Sequence, residues 1–510
     1  MAQPRQNITI AAPAFRGLNT QDSPTTLDAS FASIADNCVI DQYGRVGSRK
    51  GFLALTTDTT LIDGSNGIEV IKEYISPDGN NVIFSAGNNK IFSGTATLTD
   101  ETPLAYTITA NDWKMVNFND SLYMFQRLHE PLVYSTASGA VQPVSSLGTA
   151  VGTPPQANEV LSAYGRLWVA DVSADTSTVY WSDLLNGAAW TGGTSGSINL
   201  NKVWPNGLDQ VVALAAHNDY LIIFGKNAIL TYSGATDPST MQLADTIANV
   251  GCVSRDSVQH TGTDLLFLSN EGIRSFSRTI QEKSLPMRDI SKNVRNDLLY
   301  INTQQINSPL RSVYSPEEAF YLISFSDSQY VYCFDMRTPL EDGSHRATTW
   351  SGLTLRSFTR LQDGSVYVGN GNGISQYTGY QDYGSSYTMR YFSNPMNFGD
   401  SSRLKLLKEI ILTFIGGQGA QVVVNWGYDY TETYTKEIVT IDSGSQVAYY
   451  NQSEFNVSES EYSASIIVDR PRTKTTGTGT VVTIGTEATI NTNALSLQEV
   501  NIQAIIGRII

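Results

Sequence analysis

The chain has 510 residues, a formal net charge of −15, 41% hydrophobic and only 16% charged residues, so it is too long for one ordinary core and too apolar for a disordered chain. The acidic balance, with no basic run, argues against a protein that grips nucleic acid, because grip comes from Lys and Arg neutralising phosphates. No window approaches 18 consecutive apolar residues, which excludes a helical membrane span. The 41 Gly and 26 Tyr suit turn-rich β-structure.

The N-terminal stretch Met1 to Ile10 lacks the apolar core of a signal peptide, so export is not expected. Thr26 to Asn37 places Leu27, Phe31, Ile34 and Ala35 at helical spacing and predicts an amphipathic helix. Through the middle of the chain one pattern returns seven times: a polar turn, a short apolar strand, a second turn and a partner strand. Its markers are Val82, Leu122, Leu167, Leu221, Leu265, Phe320 and Val366, at intervals of 40 to 55 residues. That period predicts a β-propeller of six or seven blades, since one blade cannot bury both faces alone and a closed ring of blades can. A large β-sandwich would repeat every 8 to 12 residues instead. A second short helix is predicted from Asp289 to Leu299.

Composition shifts near Tyr380. Beyond it come longer strands at Ile410 to Ile415, Gln421 to Trp426, Ala464 to Val468 and Thr480 to Ile484, and a closing strand from Leu497. Thr473 to Thr480 reads as a mobile low-complexity hairpin tip. The expected organisation is therefore an all-β chain with an N-terminal arm at 1–60, a propeller at 61–385 and a β-sandwich-like domain at 386–510.

Residues that could carry chemistry are few. Cys38, Cys252 and Cys333 are odd in number and far apart, which suits three buried thiols rather than a disulfide framework or a zinc site. His129, His217, His260 and His345 form no metal-binding pair by spacing. Gly369-Asn-Gly-Asn-Gly373 lies between two strands and lacks the helix N-terminus of a phosphate cradle, so it reads as a blade turn. Leu361-Gln-Asp-Gly-Ser-Val-Tyr-Val resembles the Asp-containing turn of sialidase-type propellers, where that turn is structural. Trp168, Trp181, Trp190 and Trp204 suit blade packing, the alternative being a sugar-stacking platform. No catalytic, cofactor-binding or metal-binding residue is expected, and no cofactor.

The opening residues carry more information. Phe15-Arg-Gly-Leu-Asn-Thr-Gln-Asp-Ser-Pro-Thr-Thr-Leu is followed by Ala35-Asp-Asn-Cys-Val-Ile-Asp and Tyr43-Gly-Arg-Val-Gly-Ser-Arg-Lys-Gly-Phe. This resembles the start of tail nozzle proteins (tail tubular protein B-like) of short-tailed bacteriophages. The matching positions are Gly17, Leu18, Asn19, Gln21, Pro24, Asn37, Gly44, Val46, Arg49 and Gly51, with Lys50 standing where such proteins often have Pro. Gly251-Cys-Val-Ser-Arg-Asp-Ser-Val, running into Leu265 to Ser275, and Phe398-Gly-Asp with Leu404-Lys-Leu-Leu-Lys-Glu resemble further stretches of the same group.

The resemblance implies a non-enzymatic virion protein of the tail, made in the host bacterial cytoplasm. It would form a homohexamer below the adaptor ring, its N-terminal arm and C-terminal domain building a platform towards that adaptor, beside tail fibre or tailspike proteins. DNA would be retained by, and then ejected through, the lumen without sequence-specific binding. Six copies would carry about −90, which suits a non-adhesive conduit. The alternative is a receptor-binding or glycan-degrading tail propeller, and a cytosolic propeller scaffold is a third reading.

Overall fold

The computed structural model describes residues 5–62, 67–281, 289–304, 310–325, 328–431, 433–441 and 468–509. The chain forms two compact units, Ala54–Tyr330 with Gly352–Gln376, and Met1–Leu53 with Val331–Ser351 and Tyr377–Ile510.

In the first unit six small antiparallel sheets stand in a ring as the blades of a β-propeller. Blade 1 holds Ile68–Tyr74, Val82–Gly87, Lys90–Ser93 and Thr99–Asp100; blade 2 Lys114–Phe118, Ser121–Phe125, Leu132–Ser135 and Gln142–Pro143. Blade 3 holds Ala157–Ala163, Arg166–Val172, Thr178–Trp181 and Gly196–Asn199; blade 4 Val211–His217, Tyr220–Gly225, Ala228–Ser233 and Gln242–Ala248. Blade 5 has Gln259–His260, Leu265–Ser269 and Gly272–Ser275, and blade 6 contains Ser357–Arg360, Val366–Asn370 and Gly373–Tyr377. The remaining repeat, the hairpin Leu310–Ser315 and Phe320–Phe325, stands between blades 5 and 6. Gln259 Nε2 donates to Ser312 O on one side of it, and Arg311 Nε donates to Arg356 O on the other. The ring closes where Ser357 Oγ donates to Ile68 O, and where the backbone N–H groups of Leu55 and Thr56 donate to Ile374 O.

The seven apolar markers all fall on the second strand of a repeat. These strands are buried on both faces, and their period-two alternation feeds two different cores. Leu122 and Met124 pack towards blade 1, whereas Tyr123 and Phe125 pack towards blade 3. Leu167 and Val169 join the same core as Tyr123, while Trp168 and Ala170 enter the next one with Leu221 and Ile223. Ile222 and Phe224 then face blade 5 beside Phe267. Each blade thus supplies half of two cores. A closed ring satisfies every face, which is why the repeat has no stable solitary form.

The second unit is also all-β, and it combines both ends of the chain. Arg403–Gly416 and Leu495–Ile509 pair antiparallel over most of their length, and Arg5–Ala11 adds to the latter from Arg5↔Ile505 to Ala11↔Glu499. Another sheet runs in the order Arg346–Ser351, Phe31–Asp36, Tyr387–Ser393, Val482–Ile490, Gln421–Tyr428, Thr435–Thr440.

Two local expectations are corrected. Residues 26–37 are not a helix: Phe31–Asp36 is a central strand, parallel to Arg346–Ser351 and antiparallel to Tyr387–Ser393. A register shift between Ala32 and Ile34 breaks the strand's two-residue alternation, so its buried positions fall at Phe31, Ala32, Ala35 and Asp36 and imitate helical spacing. The Thr473–Thr480 stretch is not a hairpin tip. Arg472–Lys474 and Thr478–Gly479 line the edge of Arg403–Gly416, and Trp426 Nε1 donates to Thr476 O. The helix expected after Asp289 is present as a 3-10 turn, Lys292–Val294, followed by Arg295–Gln304. Most of the strand expected at Ala464 to Val468 lies outside the described residues.

Candidate functional site

Charged residues stand at or just before the innermost strands of blades 1, 2, 3 and 6, and hydrogen bonds bring them together across the ring. Glu69 is second in its strand, Asp112 precedes Lys114–Phe118 by two residues, Asn158 and Glu159 open blade 3, and Arg356 immediately precedes Ser357. Arg255 lies in the 3-10 turn leading into blade 5, and Arg311 is second in the hairpin.

Arg255 donates through Nη2 to Asp112 O (2.8 Å) and Oδ1 (2.9 Å), and through Nη1 to Asn158 O and Oδ1. Arg311 reaches the same Asp112 Oδ1 at 2.6 Å and Asp256 Oδ2 at 2.8 Å. Arg356 Nη1 donates to Glu69 Oε1 at 2.6 Å. Lys114 Nζ lies 2.7 Å from both oxygens of Glu159, whose Oε1 also accepts the Leu214 N–H of blade 4. These bonds form two sets: one joins Glu69, Asp112, Asn158, Arg255, Asp256, Arg311 and Arg356, and so links blades 1, 2, 3 and 6, the turn before blade 5 and the hairpin, while Lys114 and Glu159 tie blades 2 and 3 to blade 4.

Because both arginines are buried, their charges depend on these partners. Burial raises the Asp112 carboxyl, but the Arg255 and Arg311 guanidinium groups outweigh it and hold it at about 2. At Glu159 burial wins over the pull of Lys114 and pushes the carboxyl up. Beside these residues is a half-open cavity of about 300 Å³, lined among others by Glu69, Lys72, Lys114, Asp256, Arg311 and Thr359. That is the size of a small-molecule site.

A second charged centre lies in the other unit and is built from the opening motif. The Arg49 side chain is fully enclosed and forks onto Asp382, Nη1 to Oδ1 at 2.8 Å and Nη2 to Oδ2 at 2.6 Å. Its Nε donates to Asn37 Oδ1 at 3.0 Å, and its guanidinium lies 4.1 Å from the Tyr387 ring centroid. Asn37 sits at φ 52° and links onward through Nδ2 to Thr388 O. Gly17, at φ 77°, and Gly51 permit backbone contact that no other residue could make: a Cβ at Gly17 would lie 2.6 Å from Ala347 O, and one at Gly51 2.0 Å from Gln381 O. The motif thus encodes how the first 50 residues join the segments around Ala347 and Gln381.

No family model matches the chain, and no curated protein matches it. Among solved structures it is similar to the extracellular domain of a one-component system from B. thetaiotaomicron, at 12% identity and TM-score 0.42, covering 68% of this chain and 45% of that one. It is also similar to the WD40 β-propeller domain of Doa1 (11%, TM-score 0.37, 64% and 96% covered) and to streptogramin B lyase (12%, 0.37, 62% and 94%). The chain spans under half the length of the first of these. The likenesses concern architecture alone.

The residues weighed from sequence fall as follows. Cys38, Cys252 and Cys333 are buried and none is in a disulfide. Trp168, Trp181 and Trp204 pack in the core between blades 3 and 4, and Trp190 in that between blades 2 and 3, so none offers a sugar-stacking face. Asn370 and Gly373 close a hairpin, as the blade-turn reading expects. His129 accepts from the Thr109 N–H, and His345 Nδ1 bonds Asp335 O. His217 and His260, from neighbouring blades, lie 6.2 Å apart between ring centroids, a proximity that spacing did not reveal. No group of three potential metal ligands occurs among the described residues. Of the axial network only Arg255 and Asp256 had been singled out, within the Gly251 motif. The missed signal was charge at or just before the innermost strands of blades 1, 2, 3 and 6, in a chain where charge is otherwise scarce.

Proposed function

We propose that this chain is a structural, non-catalytic subunit of a virus particle, the tail nozzle of a short-tailed bacteriophage. Six copies form a ring below the adaptor, beside tail fibre or tailspike proteins, and DNA runs through the lumen of that ring into the host.

The observation that carries the reading is the use made of the opening motif. Gly17, Asn37, Arg49 and Gly51, four of the ten opening positions that carry the resemblance, each meet a specific steric or electrostatic demand in the second unit. A chance match would scatter over unconstrained positions. Arg255 and Asp256, from the second resembling stretch, likewise stand in the axial network.

In this reading the propeller is a wall element and the conduit lies between copies. The acidic net charge suits a wall that DNA slides past.

Disrupting the gene in its phage tests the reading. A nozzle subunit predicts heads that package DNA, lose it, and lack the distal tail. Particles with complete tails and retained DNA that fail only to adsorb would overturn it in favour of a receptor-binding role.

A further inference from the structure

The side chains that line the axial cavity carry more positive than negative charge. Four cations (Lys72, Lys114, Arg311, Arg360) and two carboxylates (Glu69, Asp256) line it. Three of the cations have partners: Lys114 has Glu159, Arg311 has Asp112 and Asp256, and Arg360 has Glu317. The carboxylates are engaged as well, Glu69 by Arg356 and Asp256 by both Arg255 and Arg311. Lys72 has no hydrogen bond or ion pair among the described residues. It stands half-buried on the innermost strand of blade 1, repelled by Lys114 and attracted by the neighbouring Glu73. An ammonium so placed, with no direct ion pair, gains from an added counter-charge.

A second atom points to a ligand. Glu69 Oε2 is buried in the same wall and has no hydrogen-bond partner among the described residues. A group that accepts from ammonium on one side and donates on another would satisfy both, and an oxyanion carrying a proton or hydroxyl does so.

We propose that the axial cavity of the propeller binds a small oxyanion, with Lys72 as its principal counter-charge and Lys114 beside it. The cavity admits an ion of phosphate or small-carboxylate size. In a chain of net charge −15, a site lined by more cations than carboxylates also draws an anion away from the remaining surface. The inference rests on the propeller alone and does not depend on the tail reading.

The test uses the full chain, titrated with inorganic phosphate or malonate against chloride at constant ionic strength, with thermal unfolding as readout. The proposal predicts a saturable rise of about 3 °C at ten times Kd; which oxyanion acts at lower concentration separates a phosphate-bearing from a carboxylate-bearing ligand. Lys72→Met abolishes the rise and melts above wild type in oxyanion-free buffer, since it removes the unpaired charge; the surface variant Lys226→Met changes neither. A rise that never saturates, or that survives Lys72→Met, overturns the proposal. Should Lys72→Met misfold, acylation of wild type by an amine-reactive reagent decides: phosphate or malonate protects Lys72 and not Lys226, and equal labelling of Lys72 with and without both oxyanions refutes the site.

Discussion

Replacing Asp382 by Asn leaves the Arg49 guanidinium enclosed without its counter-charge. Removing one partner of a buried pair costs about 3–5 kcal/mol. Asp382 is 16% exposed and Asn keeps one acceptor, which places this variant near about 3 kcal/mol. That raises the local opening constant roughly a hundredfold. Arg49→Lys also loses the fork, the bond to Asn37 Oδ1 and the stacking on Tyr387, whereas Arg49→Met with Asp382→Leu removes both charges and lies closer to wild type. Hydrogen exchange followed by mass spectrometry reads this directly. Amides of Val46–Ser48, Arg346–Ser351 and Tyr387–Ser393 should exchange roughly a hundredfold faster in Asp382→Asn than in wild type. If Asp382→Asn exchanges like wild type, or the double variant is the worst of the set, the motif does not hold the unit together through this pair.

Two further outcomes test the axis. The Asp112 carboxyl, held at about 2 in the fold against an ordinary 3.8, contributes stability that is present above about pH 4 and lost as pH falls towards 2. Propeller near-ultraviolet dichroism should therefore collapse over that window, and Asp112→Asn should lower stability at pH 7 while flattening the acid limb. Gly251→Ala places a Cβ 2.0 Å from Lys226 O, a backbone atom that cannot swing aside. It should cost about 2–3 kcal/mol, read as a lower denaturant midpoint at unchanged slope.

The propeller was legible because its defining strands are buried on both faces, and strands such as Arg166–Val172 and Tyr220–Gly225 therefore read as unbroken apolar runs at blade spacing. The strand at Phe31–Asp36 was not, because its bulge disguises the two-residue period. Nor could local pattern show that Val331–Ser351 folds with the chain ends, since that is decided by partners such as Cys38, whose carbonyl accepts from Trp350 Nε1 and Thr348 Oγ1. Composition alone did not reveal the axial network: Asp112, Glu159, Arg255 and Arg311 are far apart in sequence and meet only when the ring closes. The same holds for His217 and His260.

The central claim, that this propeller chain works as one of six wall elements around a shared lumen, is tested most directly by native mass spectrometry of the purified protein, alone and mixed with the adaptor protein of the same genome. The account predicts a hexamer, or a monomer that becomes six copies on the adaptor ring. A monomer that ignores the adaptor and instead binds or cleaves a capsular glycan would contradict it.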